Sequence, residues 1–399
     1  MSDTDPPLPF EPPVPFDPNA GAPEGEGEGE GAREGEGERE GEGEIEGQPG
    51  SRADRRRGSH RVRRRRRTVL WGILGAIVVI VLGFVFWFEL QSHALGPAGK
   101  AEIVQISGGE TVNSVATQLS DQRVIGSTLA FHLYNVVHSS PSLSPGSYLF
   151  HQNLTFAQVH TILNGGPNIY SVRVDAGLTL HEVAIRVGQL PGHRASTFEQ
   201  LALNGSVTST LSPAGSHNLE GLLGTGTYRV LPGETDTALL TDMVQAFEGQ
   251  ATAAGLNSNS AAALGLTPYQ VVTAASVVEK EGYYPKNMPK VARVIYNRLA
   301  HQTPLQMDST ILYALGQDGG TVTPQDLKIQ NPYNTYLNGG LPPTPICMSS
   351  PIALSAALHA PAGGWMYFVV VDKSGTEAFA DTFAEQLANE QLAHSRGVG

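Results

Sequence analysis

The sequence predicts a membrane-anchored α+β protein, with a small β-α module followed by a mixed α/β domain. Three observations support this class. A charged N-terminal tail ends at an uncharged stretch of about 21 residues, Thr68 to Phe88. The roughly 310 residues that follow alternate short β-branched runs with amphipathic helical patterns. This length can bury a core without disulfides, and Cys347 is the only cysteine in the sequence.

The N-terminal tail, residues 1–67, has the composition of a disordered segment. It carries 12 basic and 16 acidic residues, and Glu24 to Gly47 is almost an alternation of glutamate and glycine. Such a segment has too little apolar surface to offset the entropy lost on ordering. We therefore favour a solvated tail over a ligand-binding one.

An arginine-rich run and an apolar span follow this tail. Ten arginines lie between Arg52 and Arg67, directly before the stretch 68–88, and Trp71 and Trp87 lie near its two ends. Basic residues stay on the cytoplasmic side of a transmembrane helix, so we expect residues 89–399 to lie outside the cytoplasm. A cleaved signal peptide is the alternative, but the apolar stretch is long and no clear cleavage site follows it.

The outer part is acidic, with 14 basic and 22 acidic residues, which argues against nucleic acid as a partner. Its first region, the module 89–166, shows over residues 100–166 a β-α-α-β-α pattern that suits a sugar-binding module of the LysM type. A spacer that holds the rest of the chain off the membrane is an equal alternative. Two short units of this module recur in the region 167–263, which we assign to a linking α+β domain. In one of them, a strand and a glycine turn lead into a helix that we expect Thr179 to cap. Residues 264–399 form the last domain.

The last domain begins with a strong helix signal that leads to two carboxylates. Thr267 can cap the helix, Pro268 suits its first turn and Gln270 completes a capping box. The apolar residues after it predict a buried helix, which ends in Glu279 and Glu281. A carboxyl group at the end of such a helix can have a raised pKa and act as a general acid. Helical periodicity makes both glutamates candidates and does not choose between them.

Loops dense in amides, hydroxyls, tyrosines and prolines follow, and rigid polar loops of this kind are typical of binding surfaces. With these motifs, the region 100–392 resembles the membrane-anchored endolytic murein transglycosylases of the YceG or MltG type. The resemblance is strongest in the region 271–371. The runs that carry it are Ala275-Ser276-Val277-Val278-Glu279-Lys280-Glu281, Val291-Ala292-Arg293-Val294, Asn297-Arg298-Leu299, Leu305-Gln306-Met307-Asp308-Ser309-Thr310, Asn331-Pro332-Tyr333-Asn334-Thr335-Tyr336, Gly340-Leu341-Pro342-Pro343-Thr344-Pro345-Ile346 and Tyr367-Phe368-Val369.

The resemblance implies that the second glutamate, Glu281, is catalytic. Such enzymes cut the β-1,4 bond between N-acetylmuramic acid and N-acetylglucosamine in peptidoglycan, and they leave a 1,6-anhydro end. One glutamate can serve as acid and then as base in this reaction. The resemblance also implies partnership with the glycan-polymerising machinery of division or elongation, and the release of new strands. We expect no cofactor, and no His, Cys or Asp grouping has metal-ligand spacing.

Six further residues are predicted to position the substrate: Gln306, Asp308, Tyr313, Asn334, Thr335 and Tyr336. Asp308 has an alternative interpretation as the cap of the short helix after it. Two other functions stay open at this point. A non-catalytic wall-binding scaffold would not cleave, and a hydrolytic muramidase would use water, with Asp308 as the second carboxylate.

Gly282 departs from the family pattern, which commonly has serine or threonine at this position. We therefore expect any hydroxyl contact to Glu281 to come from Ser276, Thr310 or a tyrosine. A second departure is the run 223–226, Leu-Gly-Thr-Gly, where relatives often carry an aromatic-Pro-Asp sequence. This change predicts a less aromatic edge of the cleft.

Overall fold

The computed structural model describes residues 55–93, 96–282 and 284–398, with side chains from Arg67 onward. Most of the predicted disordered tail, residues 1–54, lies outside the described residues.

The first described element is a long helix, α1 (Arg55–Ser92). Its part from Arg67 to Ser92 contains an 18-residue stretch with a mean hydropathy of 2.8 and is long and apolar enough to cross a membrane. This part contains the predicted span 68–88. The helix begins at Arg55, within the segment predicted to be disordered, and arginine is a good helix former.

The predicted order β-α-α-β-α of the module after α1 is confirmed. Two antiparallel strands pair from Ala101 opposite His151 to Ile106 opposite Gly146. The helices pack on one face of this pair, and four aromatic side chains of the module (Phe131, Tyr148, Phe150 and Phe156) are completely buried. The elements are β1 (Ala101–Ile106), α2 (Val112–Asp121), α3 (Thr128–His138), β2 (Gly146–His151) and α4 (Phe156–Gly165).

The middle region repeats the strand and capped-helix pattern of the module. As predicted, Thr179 caps the helix after the first strand, and Glu182 closes a capping box with it. The two strands pair antiparallel, with Val172 opposite Tyr228. The elements are β3 (Tyr170–Val174), α5 (Leu180–Gly188), α6 (Ala195–Leu203), β4 (Gly226–Val230), α7 (Asp236–Ala253) and α8 (Ser258–Ala262).

The last region is mainly helical and carries one short hairpin, in which Phe368 lies opposite Phe379. A single turn of 3-10 helix, Asp326–Lys328, lies in the long loop between two of its helices. The elements are α9 (Pro268–Glu281), α10 (Met288–Ala300), α11 (Asp308–Ala314), α12 (Pro351–Leu358), β5 (Tyr367–Val370), β6 (Glu377–Ala380) and α13 (Phe383–Ser395).

Helix α9 links the two hydrophobic cores of the middle and last regions. Its first half, including Val271 and Val272, packs with the buried residues of the middle region. Its second half, including Val277 and Val278, packs with α10 and α12 in a separate cluster. The described fold is thus mixed α+β, and the predicted boundary at residue 263 stays a prediction.

Candidate active site

Helix α9 delivers both candidate carboxylates to its C-terminal end. The predicted start is confirmed: the Thr267 side chain accepts from the Gln270 amide, Gln270 reaches back to Thr267, and Pro268 occupies the first turn. Every residue from Val271 to Val278 is buried, as the all-round apolar pattern predicts. A buried helix holds its end firmly, so the carboxylates that close it have a defined position.

Glu279 serves as an anchor for another helix. Its Oε2 accepts hydrogen bonds from the Ser350 amide at 2.8 Å and from the Ser350 hydroxyl at 2.5 Å. Ser350 is the N-cap of α12, where the positive end of the helix dipole favours a carboxylate. Both short contacts occupy the same oxygen of Glu279, which ties α9 to α12.

Glu281 has a different environment. One oxygen, Oε1, accepts a hydrogen bond from the backbone amide of Ser309 at 3.2 Å. Burial raises the pKa of Glu281 above its ordinary value, the Ser309 contact opposes this shift, and the negative charges of Asp308 and Glu377 add to it. A carboxyl group with a raised pKa keeps its proton closer to neutral pH, which is what a general acid requires.

A buried, positively charged side chain lies near Glu281. Arg298 is almost fully buried on α10, and its Nε donates to the carbonyl oxygen of Met366 at 2.7 Å. Burial lowers the pKa of its guanidinium, and the charge of Glu281 opposes that shift. Arg298 therefore adds a positive charge near Glu281 that balances part of the acidic surroundings.

Gly282 has a steric explanation. A Cβ atom at this position would lie 2.6 Å from Cγ of Met288 and 3.1 Å from the carbonyl oxygen of Val278. The side chain of Met288, which begins α10, therefore fills the space that a serine or threonine would need.

The prediction that the hydroxyl of Ser276 or Thr310 contacts Glu281 is wrong. Ser276 donates to the Thr273 carbonyl and accepts from the Ile346 amide, because it lies in the packed middle of α9. Thr310 donates to the Met307 carbonyl. The hydrogen bond to Glu281 comes instead from Ser309, a residue that we did not expect in this role.

Two of the predicted substrate residues, Asp308 and Tyr336, lie close enough to Glu281 for their charges to interact with it. Gln306 is exposed on the loop that leads into α11, Asp308 is exposed in the first turn of this helix, and the hydroxyl of Tyr336 donates to Oδ1 of Asp308 at 2.6 Å. Asp308 does not cap α11: Met307 occupies the N-cap position and Asp308 lies in the first turn. Burial and the Asp308 carboxylate raise the pKa of Tyr336, so its hydroxyl remains a donor.

Asn334 and Thr335, two further predicted substrate residues, are buried and satisfy the loop itself. The Asn334 amide donates to the carbonyls of Leu327 and Ile329. The Thr335 hydroxyl accepts from the Met307 amide at 3.1 Å and pairs with Thr310 at 2.8 Å. Their contacts shape the loops around Asp308, and substrate contact by either stays a prediction.

Tyr313, the last predicted substrate residue, points to a carboxyl group that the sequence reading missed. Its hydroxyl donates to Oε2 of Glu220 at 3.0 Å. Glu220 is 5% exposed, and burial raises its pKa to about 7. A signal existed, since Glu220 stands in the apolar run Leu219-Glu220-Gly221-Leu222-Leu223, where a lone carboxylate is unusual.

Glu220 and Tyr313 line a cavity of about 580 Å³. Its walls come from α5 and α6 on one side, and from α11 and the loop after it on the other. Ser309, whose amide contacts Glu281, belongs to the same wall, and Lys280 pairs with Asp318 at 2.7 Å at the edge. Among the described residues, no three His, Cys, Asp or Glu side chains lie close enough together to hold a metal ion.

Comparisons with known proteins identify the family. A model described as the YceG-like family matches residues 104–392, so the chain belongs to this family, and the resemblance predicted from the motifs is confirmed. A crystal structure of a yceG-like protein from Listeria monocytogenes is 26% identical, covers 72% of this chain and 98% of that one, and superposes with a TM-score of 0.52.

Two curated relatives carry a functional name. A Bacillus subtilis protein named endolytic murein transglycosylase is 28% identical over 315 residues, which are 73% of this chain and 85% of the relative. A Streptococcus pneumoniae protein with the same name is 26% identical over 357 residues, 81% of this chain and 63% of the relative. The match therefore spans less than two thirds of the pneumococcal protein.

Proposed function

We propose that this protein is a membrane-anchored endolytic murein transglycosylase in which Glu281 is the catalytic residue. Membership of the YceG-like family and the names of the two relatives support this reaction class. The observation that carries the residue assignment is the contrast at the end of α9. Glu279 is bound to the N-cap of α12, whereas Glu281 has a raised pKa and accepts a hydrogen bond from the Ser309 amide at 3.2 Å.

One glutamate is sufficient for this reaction. Protonated Glu281 donates its proton to the oxygen that joins C1 of N-acetylmuramic acid to N-acetylglucosamine. As that C1–O bond breaks, the 6-hydroxyl oxygen of the same muramyl sugar attacks C1, and the Glu281 carboxylate takes the hydroxyl proton. The new C1–O6 bond closes the 1,6-anhydro ring, the leaving sugar keeps the first proton, and Glu281 ends protonated. No water is consumed, so no second carboxylate is needed.

The ends of the products test this reaction. Purified full-length protein in detergent is incubated with glycan strands, and the new ends are identified by mass spectrometry. We expect 1,6-anhydro ends; reducing ends would indicate a hydrolytic muramidase, and no cleavage would indicate a wall-binding scaffold.

A matched pair of variants tests the residue. Glu281→Gln should abolish the anhydro product, and Glu279→Gln, two residues away on the same helix, should remain active, because a glutamine oxygen can still accept from the Ser350 amide. Activity in Glu281→Gln together with loss in Glu279→Gln would reverse the assignment.

The same proposal places the enzyme on the outer face of the membrane. The arginines before the apolar part of α1 favour a cytoplasmic N-terminus. A thiol reagent that does not cross the membrane checks this orientation in intact cells. Single cysteines are introduced at residue 60 or residue 200 of the Cys347→Ala protein, and only the cysteine at residue 200 is expected to react. We also propose, from the resemblance, that the protein works with the glycan-polymerising machinery; crosslinking in cells tests that partnership.

The module at residues 89–166 is proposed to be LysM-like, on the strength of its β-α-α-β-α order. Its four completely buried aromatic side chains are not available as a sugar platform, which supports the spacer role over sugar binding. Replacing residues 96–166 by an unrelated domain of similar size separates the two roles. A spacer predicts unchanged affinity of the inactive Glu281→Gln chain for glycan strands, and a sugar-binding module predicts a loss.

A further inference from the structure

Glu220 connects two parts of the chain that are distant in sequence. It lies between α6 and β4, and its Oε1 accepts a hydrogen bond from the Leu180 amide at the start of α5, at 2.9 Å. Its Oε2 accepts the Tyr313 hydroxyl at 3.0 Å. A single buried carboxyl group thus holds an amide of the middle region and a hydroxyl of the last region at fixed positions.

The second of these partners belongs to the helix that contacts Glu281. Helix α11 has seven residues; Ser309 lies in its first turn and Tyr313 lies four residues later. The N-terminal end of α11 is held by the Thr310–Thr335 pair, and Tyr313 is bound near the other end. Two attachment points fix the rotation of a short helix about its axis. The amide of Ser309 is 3.2 Å from Oε1 of Glu281, at the long end of the usual range, so a small rotation would break this contact.

We propose that Glu220 is a positioning residue: through Tyr313 it sets the orientation of α11, and therefore of the Ser309 amide that contacts Glu281. The inference rests on the proposed function, because it concerns how Glu281 is prepared for acid and base catalysis. It assigns Tyr313 to the scaffold of the site rather than to direct contact with the glycan.

Substitution of Tyr313 by phenylalanine removes no ionised group, because burial raises the pKa of the Tyr313 hydroxyl far above its ordinary value. The titratable groups that face Glu220 come from α5, α9, α11 and the loop before α12, and they are Glu182, Tyr269, Tyr313 and Cys347. The charged and titratable groups that face Glu281 come from α10, α11, β6 and the loop before Leu337, and they are Arg298, Asp308, Glu377 and Tyr336. A shift in the titration of Glu281 on substitution of Tyr313 therefore reports on geometry rather than on a lost charge.

The variant that tests the proposal with least disturbance is Tyr313→Phe, which removes only the hydroxyl. If α11 relaxes and the Ser309 amide withdraws, the charged form of Glu281 loses a hydrogen bond and its pKa rises. We expect the alkaline limb of kcat/KM for anhydro product formation to move up by about 1 pH unit, the low end of the range that one hydrogen bond to a charged group allows. We expect kcat to fall about tenfold, with KM close to that of the wild type.

Substitutions at Glu220 complete the test. In Glu220→Gln the amide oxygen can accept from Leu180 and the amide NH₂ can donate to the Tyr313 oxygen, so this variant should keep a pH profile close to wild type. Glu220→Ala should shift the limb as Tyr313→Phe does. The double variant Glu220→Ala/Tyr313→Phe should be no worse than the more affected single one, because both remove the same hydrogen bond.

Tyr296→Phe is the matched control. It removes a buried tyrosine hydroxyl that donates to the Ala357 carbonyl at 2.7 Å, away from α11, and should leave the alkaline limb in place. A raised KM with an unmoved limb in Tyr313→Phe, or additive effects in the double variant, would overturn the positioning role. If the wild-type protein releases no anhydro ends, the proposed function itself is refuted. The positioning role is judged separately, by comparing the pH profiles of the variants with that of an active wild type.

Discussion

Replacing Glu220 by glutamine should remove a pH-dependent loss of stability that the native protein undergoes on approach to neutral pH. Burial raises the pKa of Glu220 to about 7 from an ordinary 4.5. The folded state therefore holds a proton that the unfolded chain releases between these two values. The stability from this group is fully present below about pH 4.5 and is lost as the pH rises through about 7.

The size of the effect follows from the two pKa values. They differ by about 2.5 units, and one unit corresponds to about 1.4 kcal/mol, so the expected change is about 3 kcal/mol between pH 4 and pH 8. Glu220 is 5% exposed, so solvent screening reduces this little. Glutamine does not ionise and can keep both hydrogen bonds. The stability of Glu220→Gln relative to wild type should therefore improve by this amount over the pH range.

Urea unfolding of the full-length protein in detergent measures this difference at pH 4, 5.5, 7 and 8. Glu182→Gln, which removes a partly exposed carboxylate from the wall of the same cavity, is the control and should follow the wild-type trend. If wild type and Glu220→Gln keep a constant difference from pH 4 to pH 8, Glu220 does not titrate as a buried carboxyl group, and the reasoning from its burial fails.

Three further predictions concern the site around Glu281. Gly282→Ser should lower the free energy of unfolding by about 1–3 kcal/mol through overpacking against Met288, and adding Met288→Ala should recover part of the loss in Tm; equal losses in both would contradict the steric reason. Thr335→Val should cost about 1–3 kcal/mol in chemical denaturation because the Met307 amide loses its acceptor, whereas Thr335→Ser should retain most of the stability. The kcat/KM of anhydro product formation should fall at alkaline pH with a limb above 4.5, since burial raises the pKa of Glu281; a limb at or below that value would argue against it as the acid.

The parts of this fold that the sequence predicts well are those governed by local contacts. The Thr267 and Gln270 capping box and the Thr179 cap depend on residues three positions apart, and the structure confirms them. The buried character of α9 follows from its composition alone.

The contacts that assign roles are distant in sequence, and periodicity does not report them. The partner of Glu279, Ser350, is 71 residues away, and the hydroxyl that reaches Glu220 is 93 residues away. The position of Glu220 in an apolar run marks it as unusual, but the run does not indicate which residue forms a hydrogen bond with it. The same limit explains the wrong hydroxyl predictions for Ser276 and Thr310, whose neighbours within the fold could not be read from their neighbours in the chain.

The two glutamates at the end of α9 differ in the hydrogen bonds that each accepts from the helix it contacts. Both lie at the N-terminal end of another helix, Glu279 at α12 and Glu281 at α11. At α12 the Ser350 amide and hydroxyl both donate at 2.5–2.8 Å, which satisfies the carboxylate and holds it in place. At α11 one amide donates at 3.2 Å, and negative charges nearby oppose ionisation. A carboxyl group that is held but only partly stabilised as an anion can release its proton to a leaving oxygen and take another back, so the environment, rather than the position on the helix, makes Glu281 the stronger candidate for both steps.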